Sequence, residues 1–357
     1  MARPVFPAAP HEMFRRVPTA PHQMMRTPSP APDQEQRLSA APHEMFRRVP
    51  AAPHQMMRAP SPAPDEELRL LDLERIDDLG EGGFATVTKV RHRRTGAVFA
   101  LKVAFYPDPD ADEEAEVLRR TAGSPHIVRY HALLRERGGE LACVLELMDA
   151  GSLCAVLRRR GERGLQEPAL AEVTAQGLVG LAQLHSRGVA HLDVKPDNLL
   201  ANARGEVKIG DFNTSKILYG AGGERLLVSI AVGTGAYFSP ERFARNAHAG
   251  PHGAMAADVW GLGVTVLELF LRRRPVLPAV ETPSYEELKQ VICHGEPPSV
   301  PEDAEASSEL RGFVAACLQK DPRRRATVAQ LLGHPFVMRR DVTASSSALR
   351  ELIVATL

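Results

Sequence analysis

His191-Leu-Asp193-Val-Lys195-Pro-Asp-Asn198-Leu-Leu200 is the stretch on which the reading of this chain turns. A carboxylate, an ammonium two positions later and an amide three beyond that lie in one short proline-containing loop that ends on an apolar pair. The three groups are, in turn, a hydrogen-bond acceptor, a cationic donor and a group that is both donor and acceptor. A few residues on, Val207-Lys-Ile-Gly-Asp211-Phe212-Asn213 reads as a short apolar strand that delivers a second carboxylate. Asparagine at 213 is among the few non-glycine residues that tolerate the left-handed conformation, and that conformation is the expectation there.

Upstream, Gly80-Glu81-Gly82-Gly83-Phe-Ala85-Thr-Val87 places glycines between two strands, Leu73 to Leu79 and Ala85 to Arg91. Backbone N–H groups in such a turn can approach phosphates without hindrance from Cβ, although plain hairpins carry glycines too. Arg93 to Gly96 reads as a further turn and Ala97 to Phe105 as a third strand. Side-chain alternation there puts Val98, Ala100 and Lys102 on one face. The segment Asp110 to Arg120 begins acidic and ends basic, as a helix macrodipole favours. It carries Glu113, Glu114 and Glu116. Helices are expected over Pro168 to His185, Asp258 to Leu271, Ser307 to Leu318 and Thr327 to Leu332. A strand-rich part followed by a helix-rich part implies two lobes of different architecture.

These motifs, in this order, resemble those of the eukaryotic protein kinases over roughly residues 72 to 337. The resemblance implies an α+β bilobal fold with a small β-rich N-lobe (about 72–147) and a larger helical C-lobe (about 148–337). They form one domain, 69–337, followed by a C-terminal tail, 338–357. It also implies ATP and Mg²⁺ as cofactors. Asp193 would orient the acceptor hydroxyl, and Lys195 would neutralise the transferring phosphoryl group. Asn198 and Asp211 would hold Mg²⁺. Gly80, Glu81, Gly82 and Gly83 would cover the phosphates, and Lys102 would reach them, clamped by Glu114, with Glu113 the nearest rival. Val87, Ala100 and Leu200 would enclose adenine. Leu145 would be the gatekeeper, with Glu146 to Met148 the hinge. Thr234 would bond toward Asp193 and Lys195, Glu241 would pair with Arg325, and Asp258, beginning a buried helix, would support the loop backbone.

Within that family the chain resembles the MAP kinase kinases of plants. The residues that carry this are Lys89 to Gly96, Ser124 to Val128, Glu146 to Leu153 and Val232-Gly-Thr-Gly-Ala-Tyr-Phe-Ser-Pro-Glu-Arg242. The implied activity is dual-specificity transfer to threonine and tyrosine of a MAP kinase, with a MAP kinase kinase kinase upstream. Three departures stand out. Ala85 replaces the third glycine of the loop, and Asn213 replaces the glycine after Asp211-Phe212. Leu192 replaces the arginine that grips a phosphorylated activation segment in most relatives. Where those relatives carry phosphorylatable residues, this chain has Leu226 and Ile230, with Ser229 one position out of register. Activation by a non-standard route is the expectation, with Ser229→Ala changing activity little. The alternatives are a weak pseudokinase serving as scaffold in a MAP kinase cascade, and a serine/threonine kinase with another substrate.

Composition sets the remaining bounds. Net charge is zero and aromatic content is 5 %, which gives no general field or stacking surface for nucleic acid. Cys143, Cys154, Cys293 and Cys317 are widely spaced and suggest neither a disulfide framework nor a zinc site. No signal-peptide core follows Met1, and Val259 to Leu271 is too short to span a bilayer. A cytoplasmic or nuclear protein without membrane partners is expected. Residues 1–68 are proline-rich and contain a duplication, Ala9 to Pro18 recurring as Ala41 to Pro50, and are expected to be mostly disordered. Arg15-Arg16-Val17 and Arg47-Arg48-Val49 pair basic with apolar residues, as MAP kinase docking peptides do. A solvated charge cluster is the plainer reading.

Overall fold

The computed structural model describes residues 68–81, 85–104, 111–135, 141–161, 163–220, 222–244, 247–277 and 282–357. The duplicated segment, with its expected disorder and docking peptides, lies outside the described residues, as do Gly82 and Gly83.

The N-lobe runs β1 (Leu73–Glu81), β2 (Ala85–His92), β3 (Val98–Ala104), α1 (Ala111–Arg120), β4 (Tyr130–Arg135) and β5 (Leu141–Glu146). Its five strands form an antiparallel sheet in the order β1-β2-β3-β5-β4. Alternation along β3 decides what faces where. Phe99, Leu101 and Val103 join Val90, Ala142 and Val144 in the lobe's own core, with Leu68 and Leu70 packed against it. Ala100 and Lys102 therefore point to the other face. The register places Lys102 between Val87 and Cys143, and Ala100 between Lys89 and Leu145.

The C-lobe continues with β6 (Gly151–Ser152), α2 (Leu153–Arg159), α3 (Glu167–Ser186), β7 (Val189–Ala190), β8 (Leu199–Ala201), β9 (Val207–Ile209), β10 (Lys216–Ile217), β11 (Val228–Ser229) and β12 (His248–Ala249). Then follow α4 (Pro251–Leu271), α5 (Tyr285–Lys289), α6 (Ser308–Cys317), α7 (Val328–Leu332), α8 (Pro335–Met338) and α9 (Val342–Val354). A small sheet, β6-β8-β9, lies below the cleft.

Helix α4 starts seven residues before the expected Asp258. Proline at its first position has no N–H to lose, and extended Gly250 precedes it. The helix has 21 residues and an 18-residue window of mean hydropathy 1.6, long and apolar enough to cross a membrane, but 78 % of that window is buried within the protein, as in a core helix. Trp260, Leu262 and Leu267 of this helix share the main core with Leu178 and Leu181 of α3. Residues 338–357 carry α9, capped by Asp341 accepting from Ala344 N at 3.0 Å, with Leu349 and Ile353 fully buried in that same core.

Candidate active site

The loop before β8 is built on a buried carboxylate of α4. Asp258 Oδ1 accepts from Leu192 N at 2.6 Å, and Oδ2 accepts from His191 N at 2.9 Å and lies 2.8 Å from His185 Nε2. Burial pushes the Asp258 carboxyl up, but the His185 bond and the His191 contacts outweigh it and hold it below the usual range. The two amide bonds fix Leu192 at φ 64°, a left-handed conformation costly for leucine. That turn reverses the chain and presents Asp193.

Asp193 is buried and accepts three hydrogen bonds, one fewer than its two carboxylate oxygens can take. Its Oδ2 accepts from Lys195 Nζ at 2.7 Å and from Asn198 Nδ2 at 3.1 Å, and its Oδ1 accepts from Thr234 N at 2.7 Å. Lys195 Nζ also donates to Thr234 Oγ1 at 2.6 Å. Burial raises the Asp193 carboxyl, and the Lys195 ammonium more than offsets it, so it sits below the ordinary carboxylate value. Gly233, at φ 94°, lets the chain pass close by, since a Cβ there would lie 2.8 Å from both Asp193 Oδ1 and Leu192 O. Glycine is required on both counts.

Opposite this cluster, Lys102 Nζ donates to Glu114 Oε1 at 2.8 Å, Asp211 Oδ1 at 2.9 Å and Asn213 Oδ1 at 2.7 Å. Burial pushes the ammonium down, but Asp211 and Glu114 raise it well above the lysine norm. Asp211 is held low, its burial outweighed by Lys102. Glu113, the rival glutamate, turns elsewhere: it accepts from Lys216 Nζ at 2.6 Å and Ile217 N at 3.1 Å. Glu114 is therefore the partner of Lys102.

The donor set fits a magnesium nucleotide. Asn198 commits its amide nitrogen to Asp193 O at 2.8 Å and to Asp193 Oδ2, which leaves its oxygen as the free acceptor among the described residues. Asp211, desolvated on the side of Lys102 but with 45 % of its side chain open to solvent, likewise keeps one oxygen clear of described hydrogen bonds. Magnesium takes one or two carboxylates plus substrate phosphates, so no denser cluster is needed. None of three or more His, Cys, Asp or Glu occurs among the described residues.

Comparison with known proteins agrees with this geometry. A family model described as "Protein kinase domain" matches residues 73–337. Mitogen-activated protein kinase kinase 9 of Arabidopsis thaliana is 41 % identical over 277 residues, which cover 74 % of this chain and 84 % of that protein. Mitogen-activated protein kinase kinase 7 of the same plant is 42 % identical, with 74 % and 85 % covered. The MAP kinase kinase PBS2 of Saccharomyces cerevisiae is 33 % identical, with 75 % and 40 % covered. The chain is a protein kinase, of the MAP kinase kinase family.

The kinase places its other expected site residues unevenly. Val87 is the β2 register partner of Lys102, Ala100 lies two residues before Lys102 on β3, and Leu200 lies on β8, paired with Ser152. Met148 is buried, its carbonyl accepting from Gly151 N at 3.0 Å. Gly80 has open space where a Cβ would be, and Glu81 is exposed at the end of β1. The Glu146 carboxylate turns to Lys208 Nζ, at 2.8 and 2.7 Å, and to Arg129 N at 3.2 Å. Asn213 departs from expectation: its φ is not positive, and Asp211 takes the left-handed conformation instead, at 61°. The Asn213 side chain is what matters, because it reaches Lys102. As expected, Thr234 bonds Asp193 and Lys195, and Arg325 donates to both Glu241 oxygens, at 2.7 and 3.0 Å. Sequence reasoning missed the Asn213–Lys102 and Glu146–Lys208 contacts, and also buried Arg242, for which the chain gave no signal beyond its place in Ser239-Pro-Glu-Arg242.

Proposed function

We propose that this kinase transfers the γ-phosphate of ATP to the threonine and tyrosine of a MAP kinase activation loop. The observation that supports it is the pairing of two charge clusters. Asp193 and Lys195 meet Thr234 on one side, and Lys102 meets Glu114 and Asp211 on the other. Asp193, held ionised by Lys195, would accept a hydrogen bond from the incoming hydroxyl and orient it. Lys195 would neutralise the phosphoryl group, and Lys102 the phosphates nearer adenine. Asn198 and Asp211 would hold Mg²⁺, which supplies charge neutralisation at the phosphates when bound. The MAP kinase as substrate rests on the relatives, which are named for acting on mitogen-activated protein kinases.

The test is purified protein with Mg²⁺-ATP and a panel of inactive MAP kinases, scored by phosphosite mapping beside Asp193→Ala. Threonine and tyrosine phosphorylation of one loop, lost in the variant, is expected. Nucleotide binding without transfer to any MAP kinase would favour the scaffold alternative, and transfer only to other proteins would favour a different substrate.

A further inference from the structure

Kinases commonly order the segment between the metal aspartate and the substrate platform with a phosphate that an arginine grips. This kinase has leucine at that place, and the leucine is only 1 % exposed. Leu192 packs in one apolar cluster with Ala190 of its own loop, with Leu218, Val228 and Ile230 of the segment, and with Ala254 and Ala257 of α4. The cluster joins all three parts of the chain that must stay in register for Thr234 to meet Asp193. Ile230, where relatives of the resembled family carry a phosphorylatable residue, is 1 % exposed within it.

Polar ties close the same region. Arg242, 2 % exposed, donates from Nε to Ile230 O at 2.7 Å and from Nη2 to Leu192 O at 2.9 Å and to Val232 O. Its guanidinium lies over the Phe238 ring, 3.8 Å from the centroid. Burial lowers it to about 10, so it stays cationic at neutral pH, with its charge turned to main-chain carbonyls. At the segment's start, Glu113 of α1 holds Lys216 and Ile217. Further along, Val228–Ser229 pairs with His248–Ala249, and Ile230 N donates to Ala247 O at 3.0 Å.

We propose that packing of Leu192 with Ile230 and Leu218, capped by Arg242, holds the activation segment in its substrate-receiving position, so that the kinase is competent with no phosphate on it. This rests on the kinase reading above and deepens it by naming how that site is regulated. The ordering that a phosphate–arginine pair supplies elsewhere comes here from apolar burial, which is present as soon as the chain folds.

The experiment uses the full chain, treated with a protein phosphatase and shown phosphate-free by intact mass. Hydrogen exchange over residues 226–232 is compared with that of the untreated protein, and phosphotransfer is measured in parallel. Unchanged protection, with activity within about twofold, is expected. Ile230→Asp should raise exchange in that segment and cut transfer about tenfold or more, while ATP affinity stays within about twofold. Ile230→Ala gives a milder version should the charged variant fail to fold. Protection that appears only with phosphate, loss of more than about tenfold on phosphatase treatment, or normal exchange in Ile230→Ala would each overturn the proposal. If neither form transfers phosphate to any protein, the kinase reading fails, and the exchange measurement still decides whether the segment is held.

Discussion

Glu146 and Lys208 form a two-pronged ion pair, with Lys208 Nζ 2.8 and 2.7 Å from the two carboxylate oxygens. It joins the last residue of β5 in the N-lobe to the middle of β9 in the C-lobe. Because β9 leads directly to Asp211, the pair sets the spacing between the strand entering the hinge and the strand that delivers the metal aspartate.

Lys208→Met should therefore loosen the cleft. It leaves the Glu146 carboxylate, 21 % exposed, with the Arg129 amide as its one partner among the described residues. Breaking such a partly buried pair from one side costs about 1–3 kcal/mol. A lower midpoint of thermal unfolding and a higher KM for ATP are expected, and Glu146→Gln combined with Lys208→Met should recover part of the stability. Strict additivity of the two single changes would show that the contact carries no coupling.

Asp258→Asn tests the support beneath the catalytic loop. The substitution keeps the shape but replaces an acceptor oxygen with a donor, so one of the Leu192 and His191 amides loses its partner. Leu192 then has less to hold it at φ 64°, and Asp193 shifts with it. A misplacement of this kind costs roughly 10²-fold in kcat. ATP affinity, set by Lys102 and Asp211, should change by less than about threefold, well under what loss of a charged contact would give. An equal loss in both parameters would point to general unfolding.

Much of this site was legible from residue order because its chemistry is local or strictly periodic. Asp193, Lys195 and Asn198 sit within one loop, and strand alternation alone put Ala100 and Lys102 on a shared face. Glu113 and Glu114 are adjacent on a helix and differ by about 100° in direction, so only the packing of α1 could decide between them. Asn213 was misjudged because a backbone argument was applied to a residue whose side chain does the bonding. Arg242 could not be foreseen: an arginine in a loop is ordinarily solvated, and its three acceptors come from parts of the chain 10 to 50 residues away. The start of α4 was missed because its first turn, Pro251-His-Gly-Ala, carries proline and glycine, which read as loop.

The acid side of the pH dependence has its sign fixed by the carboxylates. Asp193, Asp211 and Asp258 are all held below the ordinary 3.8 in the folded protein. Their contribution to stability is complete above that value and is lost as pH falls through their folded values. His126 and His131 are half-buried, and that desolvation holds them below 6.5, so the unfolded chain takes up protons first and stability falls as pH drops below that point. Thermal unfolding should show two steps of destabilisation on acidification, the first below 6.5 and the second below 3.8. His126→Gln should remove part of the first and leave the second. Lys102 is raised and Asp193 lowered, so neither should produce a limb in kcat between about pH 6 and 9.

Asn213→Gly isolates the departure nearest the reacting groups. Asn213 Oδ1 accepts from Lys102 Nζ at 2.7 Å, and an arriving phosphate must compete for that ammonium. Glycine removes the competitor and leaves Glu114 and Asp211 in place. A hydrogen bond to a charged group is worth about 1.5–3 kcal/mol, part of which water recovers, so ATP should bind about three- to tenfold more tightly. Fluorescence titration with a nucleotide analogue measures this directly, and phosphotransfer should rise alongside. Should affinity stay the same or weaken, the Asn213 amide would be a support for Lys102 and not its competitor, and asparagine would then belong to the nucleotide site as a positioning residue.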